Sequence, residues 1–455
     1  MKRRWIAALL AAMMIGSTCT AFAEEETEAF SEAVTEAVTE AVSEGAGQDG
    51  QDAEAASEEG TADLSDLILA EDDPDFSAMT IEEWGMYEFN RDYATIMTDV
   101  TSYDHDFLRE FLSSHWAMFT DLGIVAPETR TISDEEARAR LIAHHNMRME
   151  ALQSVDQDAV EARRIYLWPE GQVPSVTEYT ENEGYAYADW PGFEPFMLEM
   201  LVDEGTEVKG AVIIAPGGGH MYRSNVEEGY EVAQALNEQG YQCFILNYRV
   251  DPYTDEESAL DVARAVKIVR ANAEEYGIPE DRIACAGFSY GGIVSSLAAD
   301  IYAGDTNASA LVESYVPDEI DAVSSDVNAY LAIYSVTPDE ITNENFPATF
   351  FAFGSDDANL WDWGTRCFNL VRDTGIQTEI HTYAGVPHGF GAGTDAGNNY
   401  YANAATWPML ADCFLDNVYA NADAAEAAAA EETTEAAAEE ATETVTEEAT
   451  ETDAE

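Results

Sequence analysis

From Lys209 onward the chain repeats one alternation: a short, continuously apolar run, then a longer segment with apolar residues at helical spacing. "VKGAVIIAPGGGH" precedes "NVEEGYEVAQALNEQG", and "YQCFILNYRV" precedes "SALDVARAVKIVRANAEEYG". "RIACAGF" runs into a helical pattern after Gly292, and "NAYLAIYSV" and "ATFFAFGSDD" read as two more strands. The helix "WGTRCFNLVRDTG", the strand "TEIHTYAG" and a last helix, "WPMLADCFLDNVYANA", complete the series. Strands apolar on both faces, separated by helices, predict an α/β fold with a mostly parallel sheet covered on both sides. Ligands on such sheets bind beyond the carboxyl ends of the strands. The residues that close each apolar run are therefore the ones to inspect.

The run ending at Phe288 stops at Gly287-Phe288-Ser289-Tyr290-Gly291, a G-x-S-x-G pattern. A strand turning into a helix within two residues presents one side chain at the apex, and its neighbours two positions away must be small. Ser289 is the candidate nucleophile. A serine hydroxyl needs a positioned base, and the base needs an orienting carboxylate. His388 in "GVPHGFG" follows the strand Thr378–Ala384, and "AFGSDDANL" offers Asp356 and Asp357 after the preceding one. Asp357 is preferred from the Gly354-x-x-Asp357-x-x-Leu360 spacing, with Asp356 as the alternative. Glycines of "PGGGH" let backbone approach a bound acyl group. Gly218, Gly219 and the Tyr290 N–H are the candidate oxyanion donors. The loop lacks Walker spacing, and no cysteine–histidine pattern matches a zinc site, so neither an organic cofactor nor a metal is expected.

The flanks differ from this centre. Lys2, Arg3 and Arg4, an apolar stretch and Ala21-Phe22-Ala23 read as a signal peptide over 1–23, so the mature protein is expected to be exported. The apolar run is short for a span of about 20 residues, and no later segment is long and apolar enough to span a bilayer. Residues 24–63 and 421–455 are acidic and Ala-rich, and Glu32, Glu36, Glu40 and Glu44 would repel on one helical face. Both are expected to be disordered tails. Residues 64–164 carry helical periodicity, with Ser133 as an N-cap and Glu136 three residues on. His144 and His145 point about 100° apart on that helix, which disfavours a shared ion; they are expected on the surface. With 90 Asp and Glu against 20 Lys and Arg, a formal net charge of −70 argues against nucleic acid or anionic membrane as partner. Cys243 and Cys285 fall in central strands and are expected as buried thiols. Cys367 and Cys413 lie on two late helices where an exported chain could pair them.

"VIIAPGGGHMYRS", "QGYQCFILNYRV", "SALDVARAVKIVRANAEEYGIPEDRIACAGFSYGG" and "VPHGFG" together resemble the acetylesterase branch of the α/β-hydrolases. That branch includes acetyl xylan esterases and BD-FAE-type carbohydrate esterases, and the resemblance spans about Ile165 to Ala420. It implies an α/β-hydrolase catalytic domain over 165–420 that removes short acyl groups from carbohydrate or small esters. Two rivals stay open: a prolyl-oligopeptidase-type peptidase and an inactive surface binding protein on the same fold. The chain departs from the pattern at Tyr290, where such enzymes often have alanine, so its ring is expected to narrow the acyl side. Tyr222 and Arg223 after the glycine loop are candidate substrate contacts; Trp361 and Trp363, just beyond Asp357, read either as an aromatic platform for a sugar ring or as helix-packing residues. The connection from Val336 to Phe346 is too short for a large cap, which leaves the N-terminal helices as the candidate cover.

Overall fold

The computed structural model describes residues 64–70, 73–92, 111, 118–124, 130–279, 282–358, 360–393 and 401–424. Its frame is one sheet of eight strands. These are β1 (Arg164–Tyr166), β2 (Phe196–Met200), β3 (Gly210–Ala215), β4 (Tyr241–Asn247), β5 (Ile283–Phe288), β6 (Ala329–Ile333), β7 (Ala348–Gly354) and β8 (Thr378–Tyr383). The spatial order is β1-β2-β4-β3-β5-β6-β7-β8, parallel from β4 to β8 and antiparallel at β1 and β2. The chain leaves β3 for β4 on one side and returns to β5 on the other. This reversal is the crevice-forming switch point of an open α/β sheet, and Ser289 stands directly beyond it.

The continuous apolar runs have a physical explanation in the two faces of this sheet. Val212 and Ile214 of β3, with Cys243 and Ile245 of β4, face one core; Ala211 and Ile213, with Phe244 and Leu246, face the other. Helices α4 (Asp255–Ala271) and α5 (Tyr290–Ile301) cover the second face, with Val262, Val266, Val294 and Ala298 buried. The first face takes α3 (Glu231–Asn237), α6 (Trp361–Asp373) and α7 over 407–424 through Leu236, Val371, Trp407 and Phe414. Helix α7 continues past 420, where the acidic tail was expected to begin, and Asp423 pairs with Arg282 at 2.9 Å.

The N-terminal segment joins that first core. Helix α1 (Ile81–Arg91) starts with a capping box between Thr80 and Glu83; α2 (Asp134–Ser154) starts with Ser133 accepting the Glu136 N–H, as its sequence predicts. Trp84, Phe119 and Leu141 are fully buried and contiguous with the sheet's core. Much of the expected helical segment between residues 93 and 129 lies outside the described residues, as do the expected signal peptide and the expected tails up to 63 and beyond 424.

His144 and His145 correct the sequence reading: both are buried. The His144 Nε2 pairs with Asp92 Oδ2 at 2.7 Å, and the His145 Nδ1 with Glu88 Oε1 at 2.8 Å. Arg148 Nη2 adds a pair to Glu88 at 3.1 Å. Neighbouring helical residues diverge, and here each finds its own carboxylate. Cys367 and Cys413 are unpaired; Cys367 is buried, its thiol donating to the Thr337 carbonyl, whereas Cys413 is exposed. Cys243 and Cys285 are buried free thiols.

Candidate active site

Ser289 links β5 to α5 with φ 48° and ψ −120°, a left-handed backbone that a non-glycine residue rarely takes. The sharpness of the turn explains both flanking glycines. A Cβ at Gly287 would lie 2.3 Å from the Gly292 Cα, and one at Gly291 would lie 2.1 Å from the Ala215 carbonyl oxygen. The Ser335 hydroxyl donates to the Ser289 carbonyl at 2.7 Å, and the Ser289 N–H donates to the Ile333 carbonyl at 3.2 Å. The apex is therefore fixed from the neighbouring strand end.

His388, in the loop after β8, has its Nε2 2.9 Å from Ser289 Oγ and its Nδ1 2.8 Å from Asp357 Oδ2. Asp357 follows β7, its side chain fully buried, and its Oδ1 accepts the Leu360 N–H at 2.9 Å. Asp356 is exposed and accepts from the Ser355 hydroxyl. The structure thus brings Ser289, His388 and Asp357 into one chain of hydrogen bonds and leaves Asp356 outside it. With the Nδ1 proton given to Asp357, the Nε2 lone pair faces the serine hydroxyl, the tautomer that general-base chemistry needs.

The glycine loop lies across the crevice. Gly218 and Gly219 have φ of 138° and 62°. A Cβ at Gly218 would lie 2.1 Å from the Tyr222 carbonyl oxygen, so the loop closes only with glycine there. The Gly217 N–H donates to Glu228 Oε2 at 2.5 Å. That bond leaves Gly218 and Gly219 as the loop's candidate oxyanion donors. The Tyr290 N–H, at the first position of α5, is the third candidate.

Two expectations need revising, those for Arg223 and for the Tyr290 ring. Arg223 is buried and holds Asp189 with both terminal nitrogens, at 2.6 and 3.1 Å, and donates to the Tyr248 carbonyl at 2.7 Å. With both terminal nitrogens committed and the side chain buried, the guanidinium holds the loop and does not reach for substrate. The Tyr290 ring does not stand free beside an acyl group. It stacks on His220 with centroids 4.4 Å apart and donates its hydroxyl to Asp255. Burial pushes the His220 imidazole down to about 4, against the opposing charges of Asp189 and Glu257. Trp361 opens α6 and, like Trp363, packs at the rim of the core. Tyr222 is half-buried on the loop and meets Phe89 of α1 edge-on at 6.1 Å, which puts the N-terminal segment beside the glycine loop.

Residues the sequence reading passed over also line this centre. Tyr334, just after β6, packs edge-on against His388 at 4.9 Å, and its hydroxyl donates to Glu228 Oε1 at 2.8 Å. Glu228 was read as one polar position of an amphipathic helix, and Tyr334 as part of a strand. The available signal was the adjacent pair Glu227 and Glu228 just after the glycine loop.

Residues 198–345 match the BD-FAE family model. That match takes in the glycine loop and Ser289 and ends before Asp357 and His388. An acetylxylan esterase of Xylanibacter ruminicola is 39% identical over 88 residues, 19% of this chain and 18% of that protein. Esterase LipC of Mycobacterium tuberculosis is 34% identical over 122 residues, 27% of this chain and 30% of that protein. The chain thus spans less than a third of the length of either relative. An acetyl ester-xyloside bifunctional hydrolase of Caldicellulosiruptor lactoaceticus is 23% identical, with a TM-score of 0.46, over 56% of this chain and 96% of that one. The described residues include no helix long and apolar enough to cross a membrane.

Proposed function

We propose that this chain is an exported serine esterase that removes short acyl groups, acetyl above all, from carbohydrate or small esters. The observation that carries the reading is the hydrogen-bonded series Asp357–His388–Ser289 at a left-handed serine. Ser289 Oγ attacks the ester carbonyl while its proton passes to His388 Nε2, and Asp357 stabilises the imidazolium that forms. The carbonyl oxygen takes the negative charge and meets N–H groups of Gly218, Gly219 and Tyr290, where one such donor is typically worth about 3–4 kcal/mol of barrier. The alkoxy group leaves with the proton from Nε2. Water, deprotonated by the same nitrogen, then releases the acid and restores Ser289. Every proton and bond in this cycle is handled by side chains and backbone, so no cofactor is invoked.

Support for the acyl class comes from the matched family model and from relatives named as esterases and an acetylxylan esterase. The leader-like pattern over 1–23 supports export. An inert binding protein on this fold would have no use for the strained backbone at Ser289, since such strain persists only where its surroundings hold it.

The test is turnover by the purified chain of acetylated xylan and of p-nitrophenyl esters of rising acyl length, beside a dipeptide anilide. Acetyl esters should be cleaved fastest, and a fluorophosphonate probe should label Ser289. Preferential cleavage of the anilide would move the protein to the peptidases. Absence of both turnover and labelling would leave only a binding role.

A further inference from the structure

Glu228 lies on the helical turn that follows the glycine loop and is buried. Its two carboxylate oxygens serve two different parts of the site. Oε2 accepts the Gly217 N–H at 2.5 Å, and Oε1 accepts the Tyr334 hydroxyl at 2.8 Å. Tyr334 is fully buried and holds φ 37°, which is uncommon for any non-glycine residue and a true outlier for a bulky one. Its ring rests against His388, and its hydroxyl accepts the Gly391 N–H at 3.0 Å. One carboxylate therefore ties the start of the oxyanion loop to the loop that carries the base. Burial pushes the Glu228 pKa up, while the Tyr334 and Gly217 hydrogen bonds and the charge of His388 hold it down. Backbone strain in a residue facing the base, maintained by bonds on both sides, is the kind of outlier that clusters at working sites.

We propose that Glu228 is a positioning residue for ester cleavage, setting the Gly218 and Gly219 donors through Gly217 and steadying His388 through Tyr334. The proposal rests on the active-site reading above. Donors and base matter most when the oxyanion and imidazolium exist, so losing their alignment lowers kcat while leaving ground-state binding alone. A misplacement on the order of 1 Å can cost about a hundredfold in rate.

The experiment measures kcat and KM on p-nitrophenyl acetate for Glu228→Ala, Glu228→Gln, Tyr334→Phe and Ser289→Ala, with a melting temperature for each. Glu228→Ala should lower kcat by roughly a hundredfold with KM within about threefold. Glu228→Gln has one carbonyl oxygen for Gly217 and an amide to donate to Tyr334, so it should recover about tenfold of that loss. Tyr334→Phe, which removes one hydroxyl, should lower kcat by about tenfold, and it carries the test if Glu228→Ala does not fold. The proposal is overturned by wild-type kcat in the Glu228 and Tyr334 variants while Ser289→Ala is dead. It is also overturned by losses that glutamine does not relieve and that follow melting temperature. Activity retained in Ser289→Ala would instead remove the reading on which it stands.

Discussion

At Ser289 the backbone stands at φ 48° because a strand must become a helix at that residue, and the side chain at that apex reaches His388 Nε2 at 2.9 Å. Ser289→Ala and His388→Ala should each lower kcat on an acetyl ester by about 10⁴-fold or more, and the double variant should lose little more, because the residues act as a unit. Asp357→Asn should cost about 10⁴-fold by favouring the wrong imidazole tautomer. Asp356→Asn, at an exposed position, should leave turnover near wild type. Wild-type rates in Asp357→Asn, or a large loss in Asp356→Asn, would reassign the carboxylate. Tyr290 separates backbone from side chain. Its N–H is the assigned donor, whereas its hydroxyl is committed to Asp255, itself buried. Tyr290→Phe should therefore hold kcat within about threefold while costing about 1–3 kcal/mol of stability for the unpaired partner, read by urea unfolding. A large fall in kcat with unchanged stability would place that hydroxyl in the reaction.

The joint between β5 and α5 is the element on which the site depends, and its glycines can be tested apart from its chemistry. In Gly287→Ala the new methyl would meet the Gly292 backbone at 2.3 Å, which no side-chain rotation relieves. The strand and helix must separate, with an expected loss of about 1–3 kcal/mol of stability, and Ser289 displaced from His388. Stability and turnover both at wild-type values would show that the joint has slack. The parallel strands were legible because burial on both faces writes an unbroken apolar run, as in "GAVIIA" of β3. Strands β1 and β2 were not read: three residues in one case, and in the other "FMLEM", whose burial fades along its length. G-x-S-x-G, "PGGGH" and the late aspartate and histidine were legible because turn geometry restricts which residues fit. Arg223, Glu228 and Tyr334 were not, since their partners come from elsewhere; Tyr334 and Glu228 are 106 residues apart in sequence. Spacing along one element carries no trace of such a contact. The burial of His144 and His145 was illegible for the same reason, since their carboxylates lie 52 and 57 residues away.

Across the whole molecule the charge is one-sided, with 90 Asp and Glu against 20 Lys and Arg, and several of the described arginines stand in the interior. Arg148, Arg223, Arg249 and Arg264 are all buried, each against carboxylates. Mutual repulsion among the acidic groups opposes compactness, and buried pairs of this kind are screened little by salt. The N-terminal cluster adds two imidazoles to that set, and these titrate. His145 faces Asp73 and Glu88, with Arg148 and the His144–Asp92 pair alongside. Burial opposes its charge, but the hydrogen bonds to Asp73 and Glu88 and the charge of Glu88 outweigh it and raise the pKa from 6.5 to about 9. A group whose folded pKa is raised stabilises fully below its unfolded value and loses that contribution as pH climbs through the folded one. The melting temperature should therefore fall between about pH 6.5 and about pH 9, in high salt as well as low. In His145→Gln, which keeps a hydrogen-bonding side chain without a titrating charge, stability below pH 6.5 should be lower and the fall across this window should shrink. Because Phe89 of the same segment touches Tyr222 beside the glycine loop, ester turnover measured along the pH series should decline with the cluster above pH 8 in the wild type. A melting temperature that stays level from pH 6.5 to pH 9, or an equal slope in His145→Gln, would mean that His145 is neutral in the folded protein and that the segment is held by its apolar core alone.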